Sequence, residues 1–222
     1  MEIKELLARC DHTLLDRCAS FEDIKRVLDD AIAFGTASAC IPPYFVKEAK
    51  AYVGDRLKIC TVIGFPNGYS TAAAKLAECE EALLSGADEI DTVVNLCQLK
   101  SGRYDEILNE LRALKSAVGT RILKVIIETC LLTEEEKILL SKIVTESGAD
   151  YIKTSTGFST GGATFDDVKL LRANIGAGVK VKAAGGIASL ENAEAFVRLG
   201  ADRLGTSRLV KLAKGQGSDG SY

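Results

Sequence analysis

The chain has 222 residues, 47% hydrophobic and 27% charged, with 28 basic against 31 acidic side chains for a net charge of −3. That balance excludes a basic nucleic-acid surface and an acidic solvating tail, and the length suits one large domain. Seven cysteines without CxxC spacing argue against a disulfide framework or thiolate zinc site, and a single histidine, His12, rules out a multi-histidine metal centre.

In chain order, "MEIKELLARCDHTLL" opens as a short amphipathic helix without the apolar core of a signal peptide, and no later stretch reaches the roughly 20 apolar residues that span a bilayer. The expectation is a soluble chain in a reducing, cytoplasmic compartment. Short apolar runs rich in Val, Ile and Cys predict strands at 8–11, 37–41, 58–63, 89–95, 122–128, 151–154, 179–183 and 203–205. Segments of helical spacing separate them. In "TAAAKLAECEEALLSG" the pattern predicts a buried stripe of Ala73, Leu76, Ala77, Leu83 and Leu84, with Lys75, Glu78 and Glu81 facing water. Thr164 is placed to cap the helix of "TFDDVKLL", whose Asp166 and Asp167 suit its positive end. Gly35, Gly54, Gly86, Gly119, Gly148, Gly176 with Gly178, and Gly200 each stand between a helical pattern and the next strand. The phrases "SGADEI", "SGADYI" and "LGADRL" repeat one such junction three times. Only the end, "KGQGSDGSY", reads as a flexible tail, so the expected organisation is one domain over 1–214 followed by a tail at 215–222.

Eight strands joined by seven crossovers fit either a doubly wound α/β sheet or a (β/α)8 TIM barrel. The first strand lacks the GxGxxG loop of the open sheet. The glycine-rich loops come late, as "STGFSTGG", "AAGGIAS" and "LGTSR", which is the phosphate-binding habit of barrels. The barrel is therefore the expected fold.

Barrel strands should be nearly continuous apolar runs. Four are not: "EIDTVVN" carries Asp91, "ILKVIIET" Lys124, "YIKTS" Lys153, and "VKVKAAGG" Lys180 and Lys182. Alternation turns Asp91, Lys124, Lys153 and Lys182 inward. Asp91, Lys153 and Lys182 lie toward the C-terminal strand ends; Lys124 and Lys180 sit lower or are less determined. One such charge is readily a solvated strand end or a fold-fixing ion pair. Three converging charges need a reason, because buried unpaired charge costs several kcal/mol. Two lysines on adjacent strands, about 5 Å apart, should lower each other's proton affinity. One then attacks a carbonyl as a neutral amine and forms a Schiff base, while Asp91 moves protons. The spacing does not choose which lysine attacks. It points to a lyase or aldolase acting on a phosphorylated carbonyl compound, without metal or cofactor.

From "DHTLL" to Tyr222 the chain also resembles the deoxyribose-phosphate aldolases, through "ICTVIGFP", "GADEIDTVVN", "LKSG", "LKVIIET", "YIKTSTGF", "KAAGGI" and "RLGTS" in order. The resemblance implies a class I aldolase that reversibly splits 2-deoxy-D-ribose 5-phosphate into acetaldehyde and D-glyceraldehyde 3-phosphate. It implies Lys153 as the Schiff-base residue, Lys182 as its tuning partner and proton shuttle, and Asp91 as a second proton donor and acceptor. Gly157, Gly185, Gly186, Gly205 and Ser207 match positions around the substrate phosphate. Asp11, Thr13 and Lys124 match other pocket positions, with Lys124 holding Asp91 ionised. Some relatives end in a tyrosine that assists proton transfer, a role open to Tyr222. Ala188 stands where many relatives have a basic residue, and Arg208 is placed to supply that charge; Cys97 stands where glycine is common. Cys40 ends the second strand, either at the pocket or as a small buried residue. Two other readings stay open on these residues: a transaldolase-like enzyme for longer sugar phosphates, and a non-catalytic sugar-phosphate-binding barrel. A homodimer or homotetramer is the expected assembly, with small phosphorylated sugars and aldehydes as partners.

Overall fold

In the computed structural model, residues 1–215 are described. Eight parallel strands close into a barrel in chain order: β1 (Cys10–Thr13), β2 (Ser38–Ile41), β3 (Ile59–Ile63), β4 (Glu89–Val93), β5 (Ile122–Ile126), β6 (Tyr151–Lys153), β7 (Lys180–Ala184) and β8 (Arg203–Thr206). The expected (β/α)8 architecture is the one found. Outside the strands lie α1 (Ile3–Leu7), α2 (Phe21–Phe34), α3 (Val46–Val53), α4 (Ala72–Leu84), α5 (Leu96–Lys100), α6 (Tyr104–Val118), α7 (Glu134–Ser147), α8 (Phe165–Asn174), α9 (Leu190–Arg198) and α10 (Arg208–Ala213). No described helix is long and apolar enough to cross a membrane.

The boundaries follow local chemistry. Side chains of Ser20, Thr71, Thr133, Thr164 and Ser189 accept N–H bonds at helix starts, each stabilising by about 1 kcal/mol. Gly35 and Gly148 end α2 and α7 in the left-handed conformation. Gly176 and Gly178 depart from that expectation. Neither has a positive φ, because Ile175 ends α8 in an extended conformation. The first strand begins at Cys10 rather than residue 8, since α1 buries Leu6 and Leu7 before the chain turns inward.

The stripe read for α4 is also corrected. Lys75, Cys79 and Ala82 are the buried positions, while Ala73, Ala77 and Leu84 are exposed. Lys75 turns in because its ammonium finds partners between helices: the Val93 carbonyl at 2.8 Å and Glu110 Oε1 on α6 at 2.6 Å.

The main apolar core lies between strands and helices, where Ile24, Leu28, Ile41, Ile59, Ile90, Leu111, Val125 and Val181 are essentially fully buried. Inside the barrel Cys40, Cys60 and Val62 form a separate apolar cluster, flanked by Leu15 and Phe65. Much of the remaining interior is charged.

Candidate active site

Strand register brings the charges together. Asp91 pairs with Lys124 across β4 and β5, Lys153 with Lys182 across β6 and β7, and Lys182 with Arg203 across β7 and β8. All four charges expected to point inward do so. Asp91 and the three lysines are at most 3% exposed, and only Lys153 exceeds zero among them. Lys153 is the last residue of β6 and lies level with Lys182 in the register of β6 and β7.

Asp91 is the hub. Its Oδ2 accepts from Lys153 Nζ at 2.9 Å and from Lys182 Nζ at 2.8 Å, and its Oδ1 accepts from Lys124 Nζ at 2.8 Å. Lys182 also lies 2.5 Å from Asp11 Oδ2, and Lys124 lies 2.6 Å from Glu89 Oε2. At the floor Arg203 donates to Asp11 Oδ1 at 2.5 Å and to Glu89 Oε1 at 3.4 Å. Asp11, Glu89 and Asp91 thus face Lys124, Lys153, Lys182 and Arg203 in one column: three carboxylates and four cations.

The electrostatics follow. Burial alone would raise the Asp91 carboxyl, but Lys124, Lys153 and Lys182 hold it well below the usual carboxylate range. Asp11 is likewise pulled down against burial by Lys182, Lys124 and Arg203. For Lys182 burial pulls down, yet Asp11 and Asp91 outweigh it and keep the ammonium above its ordinary value. The expectation that paired lysines depress each other therefore does not hold for Lys182. Two carboxylates neutralise it more strongly than a neighbouring cation opposes it. Lys124 is held up in the same way, against burial, chiefly by Asp91. Lys180 stays outside the cluster, exposed at the other strand end, with its ammonium 5.7 Å from the Tyr151 ring centroid.

Two trios of donor atoms, Cys40–Cys60–Asp91 and Asp11–Cys60–Glu89, have their atoms within 4.8 Å of one another. Lys124 Nζ sits among them, 3.3 Å from Cys60 Sγ, and is itself the cation those donors face. Burial raises the Cys60 thiol, and the Cys40 thiol and Asp91 beside it push in the same direction. Cys40 is fully buried beside Cys60 in the inner apolar cluster. His12 points the other way from Asp11, toward Asp30 of α2, and burial lowers its pKa to about 4.

Above the charges, Thr13, Gly185, Gly186, Gly205, Ser207 and Arg208 line one pocket at the ends of β1, β7 and β8. Gly157 lines a neighbouring pocket that shares Thr13. Asp11 and Lys124 lie beneath, off the pocket walls. Gly205 is needed where it stands, since a Cβ there would meet Ala184 Cβ at 3.0 Å and Lys182 Cε at 3.1 Å. A Cβ on Gly162 would lie 2.5 Å from the Gly185 carbonyl, so the loops after β6 and β7 pack backbone to backbone. Tyr222 lies outside the described residues.

Sequence reasoning passed over Glu89 and Arg203. The alternation that turned Asp91 inward also turns Glu89 inward, two residues earlier, and Arg203 stands two residues before inward-facing Gly205. The signal was present in both strands.

Residues 6–207 match the pattern of the DeoC/LacD family aldolases. The chain belongs to this family. It is 59% identical over 216 residues to a deoxyribose-phosphate aldolase of Streptococcus pyogenes, covering 97% of each chain. It is 58% identical to one of Streptococcus agalactiae over 100% of each. Among solved structures, an aldolase called QR15 superposes with a TM-score of 0.91 at 38% identity, covering 95% of both chains. The tetrameric deoxyribose phosphate aldolase of Aeropyrum pernix gives 0.87 at 33%, covering 96% of this chain and 92% of that one. Members of the family are lyases, and the present chain is one.

Proposed function

We propose that the protein reversibly cleaves 2-deoxy-D-ribose 5-phosphate to acetaldehyde and D-glyceraldehyde 3-phosphate, with Lys153 as the Schiff-base residue. The observation that carries the assignment is the position of Lys153 Nζ, 2.9 Å from the Asp91 oxygen that Lys182 also reaches. Within the column Lys153 pairs with one carboxylate, whereas Lys124 pairs with three and Lys182 and Arg203 with two each. Freeing its amine to attack a carbonyl therefore breaks fewer ion pairs than freeing either of the other two lysines.

The amine adds to the C1 carbonyl of the open-chain sugar, and water leaves to form the iminium. A base removes the C3 hydroxyl proton, the C2–C3 bond breaks, and its electron pair enters the iminium to give an enamine. Glyceraldehyde 3-phosphate departs. Protonation of the enamine at C2 and hydrolysis release acetaldehyde and the amine. Asp91 and Lys182 form the proton relay beside the nitrogen. The glycine-lined pocket after β7 and β8 takes the phosphate with backbone N–H groups, and Arg208 supplies the charge that Ala188 lacks. This reading places the enzyme in the cytoplasm, where its seven free thiols stay reduced. It also gives the enzyme a homodimeric or homotetrameric assembly, which size-exclusion chromatography with light scattering tests.

Borohydride reduction with deoxyribose 5-phosphate should leave a stable adduct on Lys153, found by peptide mass spectrometry, with acetaldehyde released in turnover. Lys153→Ala should form none. An adduct at full yield in that variant, or on Lys182 in the wild type, rejects the assignment. Substrate binding without any adduct rejects the enzyme mechanism and leaves a binding barrel.

A further inference from the structure

Glu128 follows β5 and has no part in the charge cluster. Among the described residues it is the only non-glycine with a positive φ, 55° with ψ 65°. A side chain is rarely kept in that conformation without return, since glycine adopts it freely. Glu128 is 4% exposed, and both its oxygens are used on one residue. Oε1 accepts the Thr156 backbone N–H at 3.1 Å, and Oε2 accepts the Thr156 hydroxyl at 2.5 Å. The Thr156 hydroxyl oxygen in turn accepts the Phe158 N–H at 3.0 Å. On either side, Ile127 N–H donates to the Lys153 carbonyl and Thr129 N–H to the Thr154 carbonyl, at 3.0 and 2.9 Å. The left-handed kink therefore aims a carboxylate into the loop that begins immediately after Lys153. Gly157 and Phe158 of that loop form a wall of the mouth pocket.

We propose that Glu128 is a positioning residue for this loop: it fixes the Thr156 hydroxyl as a donor to itself, pins residues 156–158, and so sets how tightly the triose-phosphate half of the sugar is held. The inference rests on the aldolase reading above. It separates the two halves of the substrate, because the acetaldehyde half bonds to Lys153 and the other half lies against the loop.

The conservative variant is Glu128→Gln. It keeps an acceptor for the Thr156 N–H, but its amide nitrogen cannot accept the hydroxyl. Glu128→Gly removes the clamp while relaxing the backbone, which guards against a variant that merely misfolds. Calorimetric binding of D-glyceraldehyde 3-phosphate should weaken roughly tenfold or more in both variants, in the range expected when a positioning contact is displaced. KM for deoxyribose 5-phosphate should rise more than kcat falls. Borohydride trapping of acetaldehyde alone should stay at the wild-type yield. Unchanged triose-phosphate binding in Glu128→Gly overturns the proposal, and so does an equal loss of acetaldehyde trapping, which would make Glu128 a support for Lys153 instead. Wild-type binding of triose phosphate without any acetaldehyde adduct overturns the Schiff-base reading alone; an adduct without triose-phosphate binding overturns the loop assignment alone.

Discussion

On the proposed mechanism, Lys182 tunes its neighbour by charge without a lowered proton affinity of its own. Asp11 and Asp91 hold its ammonium above its ordinary value, so in the resting site it faces Lys153 as a cation across the paired register of β6 and β7. With Lys182 present, the column holds four cations against three carboxylates. In Lys182→Met it holds three against three. The acidic limb of the kcat/KM profile of that variant should therefore move to higher pH, and activity at pH 7 should fall by at least the 10²-fold typical of a lost proton-transfer group. Rate profiles between pH 6 and 10 check this, and an unmoved limb contradicts the charge-balance argument. Residue identity in the sequence was enough to single out these charges, since a lysine in a barrel strand is conspicuous. Their ranking was not legible. It depends on depth in the barrel and on the number of carboxylates each ammonium touches, which periodicity does not encode.

At the scale of elements, the repeated strand–helix–glycine pattern made the barrel legible, because each unit carries its own caps and alternation. The stripe on α4 was misread for a specific reason. Hydrophobic periodicity assumes that lysine faces water, and Lys75 instead bridges α4, α6 and the end of β4. Its pKa is lowered by burial and that of Glu110 is raised by burial, each against the pull of its partner. Among the described residues Glu110 Oε2 has no hydrogen-bond partner. Such a pair is strained toward neutrality and contributes little net stability, but breaking it strands a charge. Lys75→Met should destabilise the fold by about 3–5 kcal/mol, whereas the double variant Lys75→Met with Glu110→Met should recover most of that loss. Urea unfolding midpoints of the two variants and the wild type decide it. A double variant no more stable than the single one would mean that the Lys75 bond to the Val93 carbonyl matters more than the ion pair.

The whole molecule divides its labour between two cores. The apolar core outside the sheet holds the helices, and the barrel interior carries ions that bias the fold's response to pH. The sign follows from the carboxylates. Asp11 and Asp91 have folded-state pKa values below those of the unfolded chain, near 3.9. The stability they contribute is fully present above pH 4 and is lost as pH falls through the folded-state values. Asp91→Asn removes this contribution and leaves Lys124, Lys153 and Lys182 without their shared partner. At pH 7 the variant should be less stable by about 3–5 kcal/mol, the usual effect of stranding a buried charge. Below pH 4 the gap should narrow, since protonation takes the wild-type carboxylate away as the substitution does. Moderate salt should leave the gap at pH 7 almost unchanged, because these charges are shielded from the ions that screen surface pairs. Denaturant titrations at pH 7, 4 and 2.5, with and without added salt, test all three statements. A gap that stays constant down to pH 2.5 would show that Asp91 stabilises the barrel by shape and hydrogen bonding rather than by charge.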